Sequence, residues 1–393
     1  MAKSSGEDEV ICFKGPPEIL QADAFIKLRY FCDESLIVNH DKLTKAIDDI
    51  YWELQGQLDQ NFVMLIGPTG AGKTAASRML VNRICREHRA NYPDDLRTIP
   101  AIFQEAAMPH RATFEWKIFW QLILGKVHAP LPQSALPMSV RTVGSHSISI
   151  ADSAFPRSNA VVGALRERAF EAMGNRKVQL LAIDEAEGMF RVNAKNSARI
   201  DVEQKRSSTE KAEIMKSLVN RNPAPILLVG PTELFESALA SGQLSRRNQV
   251  IEFSRYKASP EGIGSFSKGV LGLLAHFPAP IELVPSTAVN ELFFQSFGLI
   301  GQARKLLLNS LRICLRAGKP LTMEYLRLGY PRKLQHQAIK VDVERCEEVL
   351  RRYMEPQDFG DPDPSASVTT PMPVGQTKPG QRKPDRQWQA EDK

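Results

Sequence analysis

Apolar residues follow two alternating patterns along the chain, short continuous runs and longer stretches in which they recur at helical spacing. Continuous runs of this length, closed by a glycine or a polar residue, are typical of strands buried on both faces of a parallel sheet. Such runs occupy residues 61–66, 99–104, 178–183 and 225–229. Amphipathic helical stretches separate them, so the pattern predicts an α/β fold, a parallel sheet with helices on both faces.

The strand pattern ends near residue 258, and beyond it apolar residues recur only at helical spacing. Residues 289–297 and 302–317 predict two helices, with Gly318 as the stop of the second. Residues 130–158 are rich in Ser, Pro and Gly and predict an inserted loop. The predicted parts are a leader at 1–40, an α/β domain at 41–257, a small all-helical lid domain at 258–355 and a disordered proline-rich tail at 356–393.

The 393 residues carry a net charge of +6. A positive balance favours a polyanionic partner, but many proteins of this size carry such a charge without binding nucleic acid. The five cysteines are scattered and never spaced as CxxC, which predicts reduced, mostly buried thiols rather than disulfides or a zinc site. No run approaches the roughly 18 to 20 apolar residues of a membrane span, and the polar, acidic N-terminus lacks the apolar core of a secretory signal. We therefore expect a cytoplasmic protein with no membrane partner.

The run at residues 61–66 leads into GPTGAGKT, which matches the phosphate-binding motif GxxxxGK[ST] in full. Between a buried strand and a helix, its glycines let consecutive backbone N–H groups face the phosphates of ATP. Lys73 is expected to reach the β- and γ-phosphates, and the hydroxyl of Thr74 to bind Mg²⁺. The alternative is a glycine-rich turn that binds nothing. The predicted nucleotide-binding residues of this loop are Gly67, Pro68, Thr69, Gly70, Ala71, Gly72, Lys73 and Thr74.

The run at residues 178–183 ends in two adjacent carboxylates, Asp184 and Glu185. At the carboxyl end of a central strand, Asp184 is expected to lie beside the phosphate loop and to hold Mg²⁺ through water. Glu185 is then the residue that polarises the attacking water. A charged helix cap explains Asp184 but not the pair. Adjacent carboxylates of this kind favour an ATPase over a small GTPase.

Three further groups of polar residues are candidates for sensing the γ-phosphate. Thr232 follows the run at 225–229 and either contacts that phosphate or caps the next helix. Arg246 or Arg247 is placed to reach the nucleotide of a neighbouring subunit, with surface solvation as the alternative. Arg304 follows the GLIG pattern by one helical turn and is suited to fold back on the nucleotide.

The order of these motifs resembles AAA+ ATPases of the initiator and clamp-loader branch. More narrowly, the chain resembles the TniB/TnsC transposition regulators, relatives of the bacteriophage MuB protein, over roughly residues 35–330. The resemblance implies an AAA+ fold with a helical lid and a bacterial, DNA-associated ATPase. It rests on VNHDKLTKAIDDI, GPTGAGKT, LLAIDEAEGM, LVNRNPAPILLVGPTEL, SGQLSRRNQVIEF and SFGLIGQARKLLLNSLRICLRAGKPLTMEYL.

The resemblance also implies partners and a cycle. ATP-bound subunits would form a homo-oligomer, a ring or a helical filament, on duplex DNA and would contact the backbone rather than the bases. The assembly would mark a target and recruit the transposase, and ATP hydrolysis would take it apart. A transposase or a target-selection factor would bind the tail or the leader. The predicted DNA contacts are His110, Arg111, Thr113, Lys117, Arg191, Lys195 and Arg199.

Two other classes of function stay open on the sequence. Another AAA+ machine, such as a replication initiator, a helicase loader or a clamp loader, is one of them. An initiator adds a winged-helix domain after the lid, and about 25 residues between Leu328 and the predicted tail are too few for one. A nucleotide-gated switch that binds proteins is the other, and such switches usually carry long repeats, which this sequence does not show.

Overall fold

The structure is a computed structural model that describes residues 11–56, 62–106, 114–129, 138–143, 146–151, 159–190, 218, 222–239 and 248–354. Its contacts divide the chain into two units, Met1–Arg351 and Arg352–Lys393. The fold described below is that of the first unit.

A five-stranded parallel sheet forms the centre of this unit. Its strands lie in the spatial order β2-β5-β6-β1-β7. Strand β6 therefore separates β1, which precedes the phosphate loop, from β5, which ends in Asp184. A separate antiparallel hairpin consists of β3 and β4. The strand bounds are β1 Phe62–Ile66, β2 Ala101–Glu105, β3 Met138–Val143, β4 His146–Ala151, β5 Leu180–Asp184, β6 Ile226–Gly230 and β7 Asn248–Glu252.

The described helices fall into a group before β7 and a group after it. The first group comprises α1 Pro17–Gln21, α2 Ala24–Cys32, α3 Asp41–Gly56, α4 Lys73–Asn91, α5 Trp116–Lys126, α6 Asn159–Asn175 and α7 Thr232–Leu239. A 3₁₀ turn, Ala186–Phe190, follows β5. The second group comprises α8 Pro260–Leu274, α9 Pro285–Ser296, α10 Ile300–Ala317, α11 Met323–Leu328 and α12 Lys333–Met354.

Local sequence signals account for several helix ends. The side chains of Asp23, Ser259 and Thr322 accept backbone N–H groups in the first turns of α2, α8 and α11. Such caps typically stabilise a helix by about 1 kcal/mol because they satisfy donors that have no partner within the helix. Gly318, with φ 61°, ends α10 in the left-handed conformation that glycine adopts without steric cost.

Both faces of the sheet are buried, because alternate side chains of a strand point to opposite sides. Phe62, Met64 and Ile66 of β1 pack in a cluster that includes α5 and α6. Val63 and Leu65 pack in a second cluster that includes α3 and α4. All five side chains of β1 are 0 % exposed, and each large apolar one contributes about 1.5–3 kcal/mol by burial. The strand that carries the phosphate loop is thus firmly held.

Helices α8 to α11, which we call the lid, form a third apolar cluster after the sheet. The N-terminal segment packs into it. Phe31 of α2 is 0 % exposed and meets Phe277 edge to face, with ring centroids 5.7 Å apart. Leu36 and Val38, farther along the same segment, also pack against this cluster. The segment before α3 is thereby held against the lid.

The predicted parallel sheet with helices on both faces is confirmed. The sequence does not predict β7, because its stretch NQVIE holds only two apolar residues. Residues 130–158, predicted as a loop, contain the hairpin of β3 and β4, whose alternating Ser and Ile residues are the signal for strands. The predicted tail from 356 onward lies outside the described residues.

The structure also bears on the expected reduced, buried thiols and on the expected absence of a membrane span. All five cysteines are free thiols, but Cys12 and Cys32 are exposed. The prediction of mostly buried thiols is wrong for these two. Cys12 precedes the short helix α1, and Cys32 is the last residue of the short helix α2. Among the described residues, no helix combines the length and apolar character needed to cross a membrane.

Candidate nucleotide site

The loop GPTGAGKT joins β1 to α4 at the carboxyl edge of the sheet. Gly70 and Gly72 have φ values of 82° and 114°, which residues with side chains rarely adopt. Gly67 has a different role, since a Cβ there would lie 2.2 Å from the carbonyl oxygen of Phe253. Gly72 is also the N-cap of the 19-residue helix α4. The loop therefore meets the positive end of a long helix, an arrangement that binds phosphates.

The side chain of Lys73 is half-buried and turned toward its own loop. Its Nζ donates to the carbonyl oxygen of Gly67 at 2.7 Å and to that of Pro68 at 2.9 Å. Burial lowers the pKa of Lys73, and surrounding groups that include Asp184 and Glu187 oppose this shift. A buried ammonium gains more from the charged oxygens of a phosphate than from neutral carbonyls. Lys73 is thus a suitable partner for a phosphate at this loop.

Asp184 lies at the same edge of the sheet as the loop. The register places Ile66 opposite Gly230 and Ile183 opposite Leu228, so β1, β5 and β6 end together. Two strand spacings, about 10 Å, separate β5 from β1. Asp184 is 5 % exposed. Strand β6 thus lies between the two strands, and the charge of Asp184 still acts on Lys73 of the loop.

Glu185 occupies an unusual position next to Asp184. Its backbone has φ 51°, and a residue of this kind held in the left-handed region is strained by about 1–3 kcal/mol. Burial raises its pKa, and the carboxylates of Glu105, Glu187 and Asp184 raise it further. A carboxylate whose pKa is raised is a stronger base, which suits the removal of a proton from water.

Glu105 is a site residue that the sequence does not predict. It is the last residue of β2 and the register partner of Asp184, and its carboxylate raises the pKa of Glu185. The predicted strand at 99–104 stops one residue short of it. A polar pair at the end of that strand, Gln104 and Glu105, is the only signal in the sequence, and it becomes meaningful once β2 is known to pair with β5.

The predicted sensor residues are placed differently from one another. Thr232 is 3 % exposed and is the first residue of α7, directly after β6 at the carboxyl edge. This position is compatible with either of its two predicted roles. Arg246 and Arg247 lie outside the described residues. Arg304 lies on α10, which begins against the phosphate loop.

The contact between α10 and the loop is close. A Cβ on Gly301 would lie only 2.6 Å from the carbonyl oxygen of Gly70. Arg304 extends from the next turn, but its Nη2 donates to the carbonyl oxygens of Phe31 and Asp33 at 2.8 and 2.7 Å. The side chain thus braces the N-terminal segment, and it would have to exchange these bonds in order to contact a nucleotide.

A cavity of about 270 Å³ opens beside the loop, near the lower end of small-molecule sites in size. It lies where the N-terminal segment, the phosphate loop and the lid meet. An apolar slot next to a phosphate loop fits a purine base and its ribose. A larger cavity of about 460 Å³ lies before β5 and β6 and includes none of the loop residues. The lining of the smaller cavity includes Leu36, Val38, Leu43, Gly72, Thr74, Leu273, Ile300 and Arg304.

The predicted DNA contacts are mostly outside the part of the chain that the structure describes. Lys117 is the exception, a half-buried residue in the first turn of α5. Burial lowers its pKa. Helix α5 packs on the sheet beside β2. The remaining six are His110, Arg111, Thr113, Arg191, Lys195 and Arg199.

Comparison with known families agrees with this arrangement. Residues 57–237 match the model of a family described as an AAA domain. This part of the chain is an AAA-type P-loop ATPase domain. The match covers the phosphate loop, the Asp184–Glu185 pair and Thr232. The protein is therefore an ATPase.

Solved structures share parts of this fold at low identity, and no curated protein matches the chain. ORC2 of Aeropyrum pernix, solved as ADPNP-ADP complexes, is 17% identical, with 77% of this chain and 70% of that chain covered and a TM-score of 0.45. ORC1 of the same organism, in complex with DNA, is 15% identical, with 84% of this chain and 72% of that chain covered and a TM-score of 0.47. Domain III of the Thermotoga maritima replication initiation protein DnaA is 14% identical, with 77% of this chain and 95% of that chain covered and a TM-score of 0.42. None of these values bears on what this ATPase binds.

Proposed function

We propose that this ATPase regulates DNA transposition. In this proposal ATP-bound subunits assemble on duplex DNA without regard to sequence, mark a target and recruit a transposase, and hydrolysis takes the assembly apart. The observation that carries the proposal is the contact between the phosphate loop and α10, where Gly301 meets Gly70. A nucleotide at this loop would act on the lid directly, so its state could set how neighbouring subunits pack.

The choice of transposition over other AAA+ activities rests on the sequence blocks around the site. The segments LLAIDEAEGM and ILLVGPTEL and the lid pattern SFGLIGQAR resemble the TniB/TnsC regulators. The net charge of +6 is compatible with a DNA partner. The backbone of DNA offers such a protein a regular row of phosphates, which supports binding that does not depend on sequence.

The residues of the site divide the chemistry among them. The loop and Lys73 would hold the β- and γ-phosphates of ATP, and the cavity beside α10 would take the base. Thr74 and Asp184 would hold Mg²⁺, which supplies positive charge to the phosphates when it is bound. Glu185, whose pKa is raised by burial and by Glu105, would accept a proton from the attacking water.

Electron microscopy tests the assembly on DNA. The full chain is mixed with random-sequence duplex DNA and the non-hydrolysable analogue AMP-PNP, and filaments or rings that follow the DNA are expected. Lys73→Ala is the matched control, because it removes the phosphate contact but leaves the surface charge elsewhere unchanged. ADP in place of AMP-PNP should give no assembly. Isolated single subunits in the presence of DNA and AMP-PNP would refute the proposal.

A second experiment separates transposition from the alternative AAA+ machines. A transposase encoded beside the gene for this ATPase is expected to co-sediment with the assembly formed on DNA and AMP-PNP. The control uses the Lys73→Ala variant at the same concentration, which should leave the transposase in the supernatant. Assembly on DNA that retains a replicative helicase and not the transposase would instead favour a helicase loader.

A further inference from the structure

Helix α12 lies across the nucleotide end of the sheet. Its apolar residues Val343, Cys346 and Leu350 are 1, 2 and 3 % exposed. Val343 belongs to the apolar cluster on one face of the sheet, and Cys346 and Leu350 belong to the cluster on the other. A helix that contributes to both faces must pass over an edge of the sheet. The polar contacts of α12 show that this is the carboxyl edge.

Two ion pairs fasten α12 at that edge. Arg255, just after β7, donates from Nε and Nη2 to the two carboxylate oxygens of Glu347 at 2.6 and 2.9 Å. Glu233, just after β6, lies 3.5 Å from Arg345. In the sheet β1 lies between β6 and β7, so the helix spans the end of β1. The paired Arg–carboxylate bonds fix the orientation of the helix as well as its position.

The phosphate loop lies directly under this span. The backbone N–H of Thr69 donates to Oδ2 of Asp342, at a length of 3.4 Å near the outer limit of a hydrogen bond. Asp342 is also among the groups whose charge acts on Lys73. A carboxylate of the chain itself thus faces an N–H group of the loop that is built to bind phosphate.

We infer that α12 is an autoinhibitory helix that ATP must displace. Asp342 takes the place of a phosphate at the loop, and α12 covers Lys73 from the side of the sheet edge. A negatively charged triphosphate and the Asp342 carboxylate cannot share the loop without repulsion. Binding of ATP therefore moves α12 away and exposes the face made by Val343, Cys346 and Leu350. This inference depends on the nucleotide site and not on the proposed role in transposition.

The covering helix lowers the apparent affinity for ATP, because only molecules with α12 displaced can bind. Removing the charge of Asp342 weakens the closed state and removes the repulsion. The variant Asp342→Asn is therefore expected to bind fluorescent mant-ATP roughly tenfold more tightly than the wild type. Glu344→Gln is the matched control, since it removes one negative charge from an exposed position of the same helix, and it should change the affinity less than about twofold.

The movement itself can be followed at Cys346. Burial raises the pKa of this thiol to about 12, so it is protected from alkylation while α12 is docked. The full chain is treated with N-ethylmaleimide with and without saturating AMP-PNP and Mg²⁺, in the absence of DNA, and labelling of each cysteine is measured by mass spectrometry. Cys314, 1 % exposed in the lid cluster, is the internal reference. AMP-PNP is expected to speed labelling of Cys346 at least tenfold relative to Cys314.

Three outcomes would overturn the inference. The first is equal mant-ATP affinity of Asp342→Asn, Glu344→Gln and the wild type. The second is a Cys346 that stays as protected as Cys314 in protein saturated with AMP-PNP, and the third is a wild type that binds no mant-ATP. Failure of the proposed function looks different. There, AMP-PNP would unmask Cys346 and Asp342→Asn would tighten binding, but no assembly would form on DNA.

Discussion

Substituting Gly301 with alanine adds one methyl group between the lid and the phosphate loop. The added Cβ would lie 2.6 Å from the carbonyl oxygen of Gly70. Carbon and oxygen atoms that are not bonded approach to about 3.3 Å at the closest, so the start of α10 and the loop must separate by roughly 0.7 Å. Backbone atoms are on one side of the contact, and they cannot rotate away as a flexible side chain would.

The cost of this separation can be isolated with a second glycine. Gly264 lies on the exposed side of α8, and a Cβ there would meet nothing within 4 Å. Gly264→Ala is expected to stabilise the protein by about 0.5–1 kcal/mol, the ordinary gain of alanine in a helix. Gly301→Ala carries a similar gain but also an overpacking cost of about 1–3 kcal/mol. The difference in unfolding free energy between the two variants is therefore the cost of forcing α10 and the loop apart.

Urea unfolding of both variants measures the stability difference, and a mant-ATP titration measures its effect on the site. Because the loop that shifts is the one that holds the phosphates, Gly301→Ala should weaken ATP binding by about tenfold or more. Gly264→Ala should leave the affinity unchanged. Equal stability and equal ATP affinity of the two variants would refute the close contact between the lid and the loop.

Other variants test the remaining residues of the site. Glu185→Gln should bind ATP as the wild type does but hydrolyse it at least about 100-fold more slowly, and unchanged turnover in a phosphate-release assay would exclude Glu185 as the base. Glu105→Gln should move the acidic limb of the pH profile of kcat to lower pH. The carboxylate of Glu105 raises the pKa of Glu185, so its removal lowers that pKa. An unmoved limb would show that Glu105 does not act on Glu185. Burial lowers the pKa of His40 from 6.5 to about 4; the nearby charge of Asp41 opposes this shift, and that of Lys42 adds to it. Between about pH 4 and 6.5 the folded state therefore binds fewer protons than the unfolded state. Stability should fall by up to about 3 kcal/mol as the pH drops from 7 to 4. Acid urea titrations of His40→Gln, which can still bond the Tyr256 hydroxyl, should lack that contribution, and parallel profiles for variant and wild type would contradict it.

Much of the sheet domain can be predicted from the sequence because its signals are local. A run such as FVMLI is apolar at every position and must be buried on both sides, whatever surrounds it. The motif that follows it needs glycines at defined positions for backbone reasons, and Gly70 and Gly72 have the positive φ angles that this requires. Gly318 at the end of α10 belongs to the same class of local signal.

Strand β7 and the hairpin of β3 and β4 show the limit of such reasoning. The stretch NQVIE becomes a strand because β1 offers an unpaired edge, with Phe62 opposite Asn248 and Ile66 opposite Glu252. Pairing with a neighbour supplies hydrogen bonds that the apolar pattern of a segment does not reveal. Strand order is likewise a property of the whole sheet, which is why Asp184 lies two strands from the loop.

The sequence by itself determined the chemistry of this protein: a phosphate loop with Lys73 and Thr74, and a carboxylate pair at the end of a buried strand. Motif spacing suffices for this because the residues of each motif are neighbours along the chain. Tertiary structure decided which distant groups meet them. Glu105 reaches Glu185 through strand pairing, Gly301 reaches Gly70 through lid packing, and Asp342 reaches Thr69 because α12 folds back across the sheet edge. Contacts between residues this far apart along the chain depend on how the helices and strands pack, and no local pattern encodes that packing.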